Sequence, residues 1–283
     1  MKIRRLGLVA AVIAVQAITS TPALAAPVAT TPNADETATP RVINGSPASV
    51  KDYPYVIIGT RKGGPRPQGA SCTGSVVAPR KVLIAAHCKF ADGDKRFLYG
   101  LDKYTSDAGG TWIEVTDYKA HPKYDSNNGW QKGYDVAVVT LAADVPVPSG
   151  YKFPRVATSK DTALTAIGKT TNFVGYGRIK ADENDSAVLL KTDLPVIAES
   201  SCKSFLPTYN AKFMFCSGFA DGKTGICQGD SGGGTLVDGV VVGVASFVKT
   251  GCGSSSGFAK LTGELGDWAV GEIGTAAGTR TSG

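Results

Sequence analysis

A serine surrounded by glycines is the first feature of this sequence that could do chemistry. It lies in the stretch Gln228-Gly229-Asp230-Ser231-Gly232-Gly233-Gly234. The glycines keep side chains away from Ser231, so a substrate backbone can approach its hydroxyl. They also allow the backbone N–H groups of Gly229 and Ser231 to point into one small space, where they could stabilise the oxyanion formed when a hydroxyl attacks a carbonyl. A plain Gly-rich turn has the same composition. The catalytic interpretation is therefore favoured only if the chain also supplies a base and an orienting acid.

The base must be one of only two histidines in the chain. His87 ends the apolar, β-prone run Lys81–Cys88, which predicts that it lies on a corner at the end of a strand. His121 lies in the polar turn Ala120–Lys123, and we expect it to be a surface histidine. His87 is therefore the candidate general base.

The orienting acid is predicted to be Asp135. It opens the run Asp135-Val136-Ala137-Val138-Val139-Thr140-Leu141, which is apolar enough to form a buried strand. A carboxylate at the start of such a strand needs a hydrogen-bonding partner. An N–H group of His87 would be such a partner.

Three short blocks carry a resemblance to a known family. The blocks Ala85-Ala86-His87-Cys88, Asp135-Val136-Ala137 and Gly229-Asp230-Ser231-Gly232-Gly233 resemble the signature blocks of the chymotrypsin/trypsin family of serine proteases, in the same chain order. Their key residues are 48 and 96 positions apart, close to the roughly 45 and 93 of the family template. The resemblance extends from about Arg41 to Trp268. It implies a triad of His87, Asp135 and Ser231, with Gly229 and Ser231 forming the oxyanion hole.

The six cysteines all follow the leader of a chain that we expect to be exported, so disulfides are expected. Spacing alone leaves 15 connectivities open. The resemblance implies the pairs Cys72–Cys88, Cys202–Cys216 and Cys227–Cys252. The sequence contains no Cys-x-x-Cys pair, so it does not suggest a metal site built on cysteines. Segment 102–114 contains few acidic residues, and we expect no calcium site there. The catalysis implied by the resemblance requires no cofactor.

The N-terminus predicts export and activation by cleavage. Residues 1–25 read as a signal peptide, with a basic start, an apolar stretch too short to span a bilayer and the cleavage site Ala23-Leu24-Ala25. Residues 26–41 are rich in Ala, Thr and Pro and are interpreted as an activation propeptide. The following Arg41-Val42-Ile43-Asn44-Gly45 resembles the family's activation site. Cleavage after Arg41 would free an ammonium on Val42, which the resemblance pairs with Asp230.

The remaining chain predicts an all-β fold. Short β-prone runs are separated by Gly, Pro and Asp, at Tyr55–Thr60, Ser75–Val77, Lys81–Ala85, Phe97–Gly100, Trp112–Tyr118 and Asp135–Leu141. The resemblance implies two six-stranded antiparallel Greek-key β-barrels with a short C-terminal helix, predicted over Gly263–Ile273. We assign the first barrel to residues 42–152, and the second barrel, with the helix and tail, to residues 153–283.

The resemblance also locates the substrate pocket S1, which binds the P1 side chain before the scissile bond. Trypsin-like members have an Asp at its base, six residues before the nucleophile. Here that residue is Gly225, and Asp221 is too early in the chain to substitute. The pocket walls are predicted from Ile226, Ser246, Phe247, Val248 and Gly257. They resemble those of elastase-type members and predict small or medium aliphatic P1 residues rather than Arg or Lys, unless the pocket is deeper than these residues suggest.

Composition limits the partners and the alternative functions. The 283 residues are 42% apolar and 19% charged, as in ordinary globular proteins. Residues 1–41 carry four cationic and two acidic residues, so their removal lowers the net charge from +6 to +4. Without a basic stripe, nucleic acid is an unexpected partner. We expect a secreted, extracellular monomer without a membrane anchor after signal removal. Its expected partners are protein or peptide substrates, a trypsin-like activating protease and protein protease inhibitors. A protease-like binding protein without catalysis and an esterase are the alternatives.

Overall fold

The computed structural model describes residues 45–274, except for residues 65, 67, 68, 107, 180–186, 222, 223 and 250. All of them belong to one compact unit, Thr39–Gly283. The predicted signal peptide and propeptide, Arg41 and Val42 lie outside the described residues, as does the tail Thr275–Gly283. None of the helices in the described ranges is long and apolar enough to cross a membrane.

The first half of the described chain forms a closed barrel of six antiparallel strands. The strands of this half are β1 Ser46–Pro47, β2 Val56–Arg61, β3 Ala70–Ala78, β4 Lys81–Ile84, β5 Lys95–Tyr99, β6 Lys103–Tyr104, β7 Thr111–Ala120 and β8 Ala137–Leu141. The barrel order is β2-β3-β4-β8-β7-β5. Its interior is apolar, as the buried Ile57, Leu83 and Phe97 illustrate.

Most strands of the second half join an eight-stranded half-barrel sheet rather than a second closed six-stranded barrel. The strands of this half are β9 Arg155–Val156, β10 Thr170–Gly175, β11 Ala187–Val188, β12 Leu190–Pro195, β13 Met214–Ser217, β14 Gly234–Val237, β15 Val240–Val248 and β16 Ser256–Lys260. The sheet order is β1-β12-β10-β14-β15-β16-β13, so β1 of the first half forms one edge, and β9 pairs in parallel with β15. Strands β6 and β11 form a separate pair.

Helices are short in the described ranges. They are α1 Ala86–Phe90, α2 Glu199–Phe205 and α3 Glu264–Gly274, with 3₁₀ turns at Trp130–Lys132 and Thr162–Thr165. The prediction of an all-β fold with a short C-terminal helix is confirmed, and α3 is shifted by only one residue from its predicted bounds. The short helix α2 was not predicted.

The local turns follow from residue type. Asp238 and Gly239 join β14 to β15 with φ values of 50° and 76°, the left-handed pair that a two-residue type I′ hairpin requires. The predicted strand at Asp135–Leu141 begins instead at Ala137. The N–H of Val136 donates to the carbonyl of Tyr134 (2.9 Å) in a local turn, which leaves Asp135 just before the strand.

The expectation that His121 is a surface residue is wrong. Its exposed fraction is 5%. The ring stacks on Tyr134 with centroids 5.1 Å apart and meets Trp268 of α3 edge-on at 4.9 Å. Burial, followed by the charge of Lys123, lowers the pKa of His121. The turn after β7 carries this side chain under the C-terminal helix, a contact between distant segments that the local sequence does not reveal.

Candidate active site

His87 lies at the corner between β4 and α1. Strand β4 ends at Ile84, and His87 is the second residue of α1. The neighbouring Cys88 forms a disulfide with Cys72 of β3, which ties the short helix to the barrel wall. Because five residues are too few for a helix to be stable alone, this covalent attachment and the buried Ala86 hold the histidine in place.

Asp135 is fully buried and accepts three hydrogen bonds. Its Oδ1 accepts from the backbone N–H of His87 (2.8 Å), and its Oδ2 lies 2.7 Å from Nδ1 of the same residue. The Ser246 hydroxyl donates to Oδ2 at 2.6 Å. Burial by itself would lower the pKa of His87, but the charge and hydrogen bond of Asp135 outweigh it and raise that pKa above its ordinary value. The pair therefore stabilises an imidazolium.

Ser246 has a role that the sequence did not suggest. It was predicted to form a pocket wall, and it does line the cleft. Its hydroxyl, however, also completes the hydrogen-bond shell of Asp135. A buried carboxylate next to a Ser-Phe pair on a distant strand is a contact that only the folded chain brings together.

The loop that carries Ser231 is fixed by backbone hydrogen bonds. The N–H of Gly232 donates to the Ala245 carbonyl (2.8 Å), and the N–H of Ala245 donates to the Gly233 carbonyl (2.9 Å). Gly232 has φ +87°, and a Cβ there would overlap with Ile84 of β4. Glycine is therefore required both by conformation and by the close approach of the barrel.

Thr73 connects β3 to this loop and was missed by sequence reasoning. Its N–H donates to the Ser231 carbonyl (2.9 Å), and its hydroxyl donates to the Gly229 carbonyl (2.9 Å). The same hydroxyl accepts from the N–H of Tyr176 (3.0 Å). A fully buried threonine thus makes hydrogen bonds to the carbonyls of both residues whose N–H groups are the proposed oxyanion donors.

The two candidate oxyanion donors are available for a ligand. Within the described parts of the chain, neither the N–H of Gly229 nor that of Ser231 has a hydrogen-bond acceptor. Gly229 adopts φ +98°, a conformation that favours glycine. Two such donors on one turn can stabilise a developing negative charge.

Asp230 is buried beneath the loop. Its Oδ1 accepts from the N–H of Gly177 (2.7 Å), and its Oδ2 accepts from the N–H of Cys227 (2.9 Å). Burial raises the pKa of Asp230 to about 7, although the two N–H donors and the charge of Arg66 act in the opposite direction. The predicted partner Val42 lies outside the described residues.

The cleft has a volume of about 480 Å³, and both His87 and Ser231 line it. The predicted pocket residues Ile226, Ser246, Phe247 and Val248 also line it, whereas Gly225 and Gly257 do not. Three aromatic residues of the first half, which were not predicted, also line the cleft, namely Phe90, Tyr124 and Trp130.

The structure pairs the six cysteines as Cys72–Cys88, Cys202–Cys216 and Cys227–Cys252. These are the pairs that the resemblance implies. Cys72, His87 and Cys88 approach one another closely enough to share a metal ion. Both sulfurs are committed to a disulfide, so this cluster offers no thiolate ligand.

Comparisons with known proteins agree with this geometry. The family model described as Trypsin matches residues 42–269. A trypsin of Saccharopolyspora erythraea is 30% identical over 208 residues, covering 73% of this chain and 86% of the relative. Trypsin, alkaline C of Manduca sexta is 28% identical and covers 73% and 80%, and trypsin 5G1 of Aedes aegypti is 27% identical and covers 73% and 75%.

Proposed function

This chain belongs to the trypsin family of serine endopeptidases, and from that membership we propose that His87, Asp135 and Ser231 are its catalytic triad. The observation that carries the proposal is the hydrogen-bonded group of Ser246, Asp135 and His87, on a cleft that Ser231 also lines. A histidine whose Nδ1 is held by a buried carboxylate has its Nε2 left for proton transfer.

The proposed mechanism follows from these contacts. Asp135 accepts the Nδ1–H of His87 and stabilises the imidazolium that forms when His87 takes the proton of Ser231. The serine oxygen attacks the peptide carbonyl, and the free N–H groups of Gly229 and Ser231 stabilise the oxyanion. His87 then protonates the leaving amine, and water hydrolyses the acyl-enzyme through the same steps.

The proposed substrate has a small or medium aliphatic P1 residue. Gly225 stands where trypsin-like members carry a carboxylate, so no charge is available there to pair with Arg or Lys. The buried Ile226 and half-buried Val248 line the cleft with apolar groups. An unpaired guanidinium or ammonium in such surroundings is strongly disfavoured.

The enzyme is proposed to be secreted as a zymogen. The predicted signal peptide of residues 1–25 directs export, and a trypsin-like protease cuts after Arg41. The new Val42 ammonium then pairs with Asp230, whose buried carboxylate lacks a full counter-charge in the described contacts, as the raised pKa indicates. This pairing orders the adjacent oxyanion loop. Protein substrates and protein protease inhibitors are the proposed partners of the mature monomer.

Labelling with a fluorophosphonate probe tests the proposed triad. The mature enzyme should be labelled on Ser231, and Ser231→Ala should lose both labelling and peptide hydrolysis, with kcat lowered on the order of 10⁶-fold, the loss that removal of the serine from such a triad causes. Ser126→Ala is the matched control, because Ser126 is an exposed serine of the same cleft. A folded wild-type enzyme that is not labelled would instead identify a binding protein without catalysis.

A further inference from the structure

The ring of Phe247 lies against the backbone of Gly257. The two residues are cross-strand partners in the antiparallel pair β15–β16, so side chains at both positions would share one face of the sheet. A Cβ at Gly257 would overlap with Cζ and both Cε atoms of the Phe247 ring. The ring tip therefore occupies the space that the absent side chain of Gly257 leaves open.

The family resemblance places the proposed S1 pocket in this space. Gly225 at the predicted base and Gly257 on the predicted far wall are both buried, and neither lines the cleft. A Cβ at Gly225 would lie 2.5 Å from the carbonyl oxygen of Ser254, so the base of the pocket is packed against the β15–β16 connection. The cleft consequently ends at Phe247 and Val248 and does not continue to the glycines.

Aromatic neighbours hold the Phe247 ring in this position. Trp130 stacks on it with ring centroids 4.9 Å apart and planes 17° apart, and Phe205 lies at 6.0 Å. Phe247 is 6% exposed, and that remaining surface faces the cleft. These contacts are apolar, so ring rotation would break no hydrogen bond.

We propose that Phe247 is the gate of the S1 pocket and the residue that limits the size of the P1 side chain. The inference rests on the proposed protease function and deepens it. A P1 methyl group binds at the mouth of the pocket beside Ile226 and Val248, with the ring in place. A P1 leucine or phenylalanine requires the volume over Gly257 and binds only when the ring has rotated away.

The test compares P1 residues in otherwise identical substrates. Peptide anilides with P1 Ala, Val, Leu and Phe are hydrolysed by the mature wild-type enzyme, by Phe247→Ala and by Phe247→Leu. All concentrations are set by fluorophosphonate titration, so unfolded protein does not contribute. Phe219→Ala is the control, because this ring is exposed and lies outside the cleft. We measure the ratio of kcat/KM for P1 Phe to that for P1 Ala.

Phe247→Ala should raise this ratio by at least about 10- to 200-fold, the discrimination that a single methylene group gives in a hydrophobic pocket. Phe247→Leu should raise it less, and Phe219→Ala should leave it unchanged. If both Phe247 variants are labelled and keep the wild-type ratio, the gate is overturned while the protease function stands. If no variant is labelled or hydrolyses any substrate, the proposed function is overturned and the gate with it.

Discussion

Replacing Asp230 with asparagine should change how the stability of the uncut chain depends on pH. The carboxylate is fully buried and accepts one backbone N–H from Gly177 and one from Cys227. The charge of Arg66, which is 4% exposed and donates to the Tyr176 carbonyl, lowers this pKa. Before the proposed cleavage after Arg41, Val42 has no free ammonium that could pair with Asp230.

The size of the effect follows from the pKa. Burial raises the pKa of Asp230 from 3.8 to about 7. Between about pH 4 and pH 7 the native state therefore keeps a proton that the unfolded state has released, and stability falls as the pH rises. Each pH unit costs about 1.4 kcal/mol, so the whole interval costs about 4 kcal/mol. Asparagine does not titrate and lacks this dependence.

Asparagine also has a cost that does not depend on pH. Its amide NH₂ must face the N–H of either Gly177 or Cys227, so one buried donor loses its acceptor, at about 1–3 kcal/mol. The informative quantity is therefore the slope and not the absolute stability. Urea unfolding of the chain that begins at Ala26 should be measured from pH 4 to pH 8, in a Ser231→Ala background that prevents self-digestion. The free energy of unfolding of Asp230→Asn relative to its parent should rise by about 4 kcal/mol from pH 4 to pH 7.

Asp193→Asn is the matched control, because Asp193 is exposed and accepts a hydrogen bond from the Asn172 side chain at 2.8 Å. It should show no comparable slope. Cleavage of the parent with trypsin should then remove most of its pH-dependent loss of stability, since the proposed pairing would let the Val42 ammonium neutralise Asp230. Parallel curves for Asp230→Asn and its parent would refute the argument from burial. An unchanged slope after cleavage would refute the pairing of Val42 with Asp230.

Two further predictions concern the triad and activation. Asp135→Asn should lower kcat about 10⁴-fold, because an amide NH₂ facing Nδ1 favours the wrong tautomer of His87. Loss of the carboxylate charge should also move the acid limb of the kcat/KM profile to lower pH. Both effects are checked by a pH–rate profile, with Asp193→Asn as the control. The wild-type proform should not release a chain beginning at Val42 when it is incubated alone, because an uncharged S1 pocket disfavours Arg41, whereas added trypsin should release that chain. N-terminal sequencing identifies the released chain. Its release by wild type but not by Ser231→Ala would show that the enzyme cuts after arginine.

Local signals were sufficient for much of the strand pattern. Strand β8 of the barrel consists of five consecutive residues with mostly β-branched or aliphatic side chains. In the second half, the Asp238–Gly239 pair specifies the hairpin between β14 and β15 without help from distant residues. The corner at His87 was readable because an apolar run stops at two alanines. In each case the deciding interactions are between neighbours in sequence, which periodicity and turn chemistry describe.

Tertiary contacts account for the errors. His121 is polar and lies beside a proline, which favours the surface, but Trp268 and Tyr134 cover it. Thr73 is an ordinary threonine of a strand by sequence, yet it makes hydrogen bonds to three residues more than 100 positions away. The helix α2 is short and contains three serines and a cysteine, which are weak helix formers, so its pattern carries no strong signal.

For the S1 pocket, the sequence predicts a preference for the charge of the P1 side chain more readily than a preference for its size. The absence of a carboxylate at its base depends on one residue, Gly225, and is visible once the nucleophile is located. The available volume depends on where the Phe247 ring lies, and that position is set by Trp130 on one side and by the missing side chain of Gly257 on the other. Gly257, which was predicted as a wall of the pocket, is the residue whose missing side chain leaves room for the aromatic ring. The proposed exclusion of Arg and Lys therefore rests on one residue of the sequence, whereas the proposed limit on aliphatic and aromatic P1 residues rests on packing.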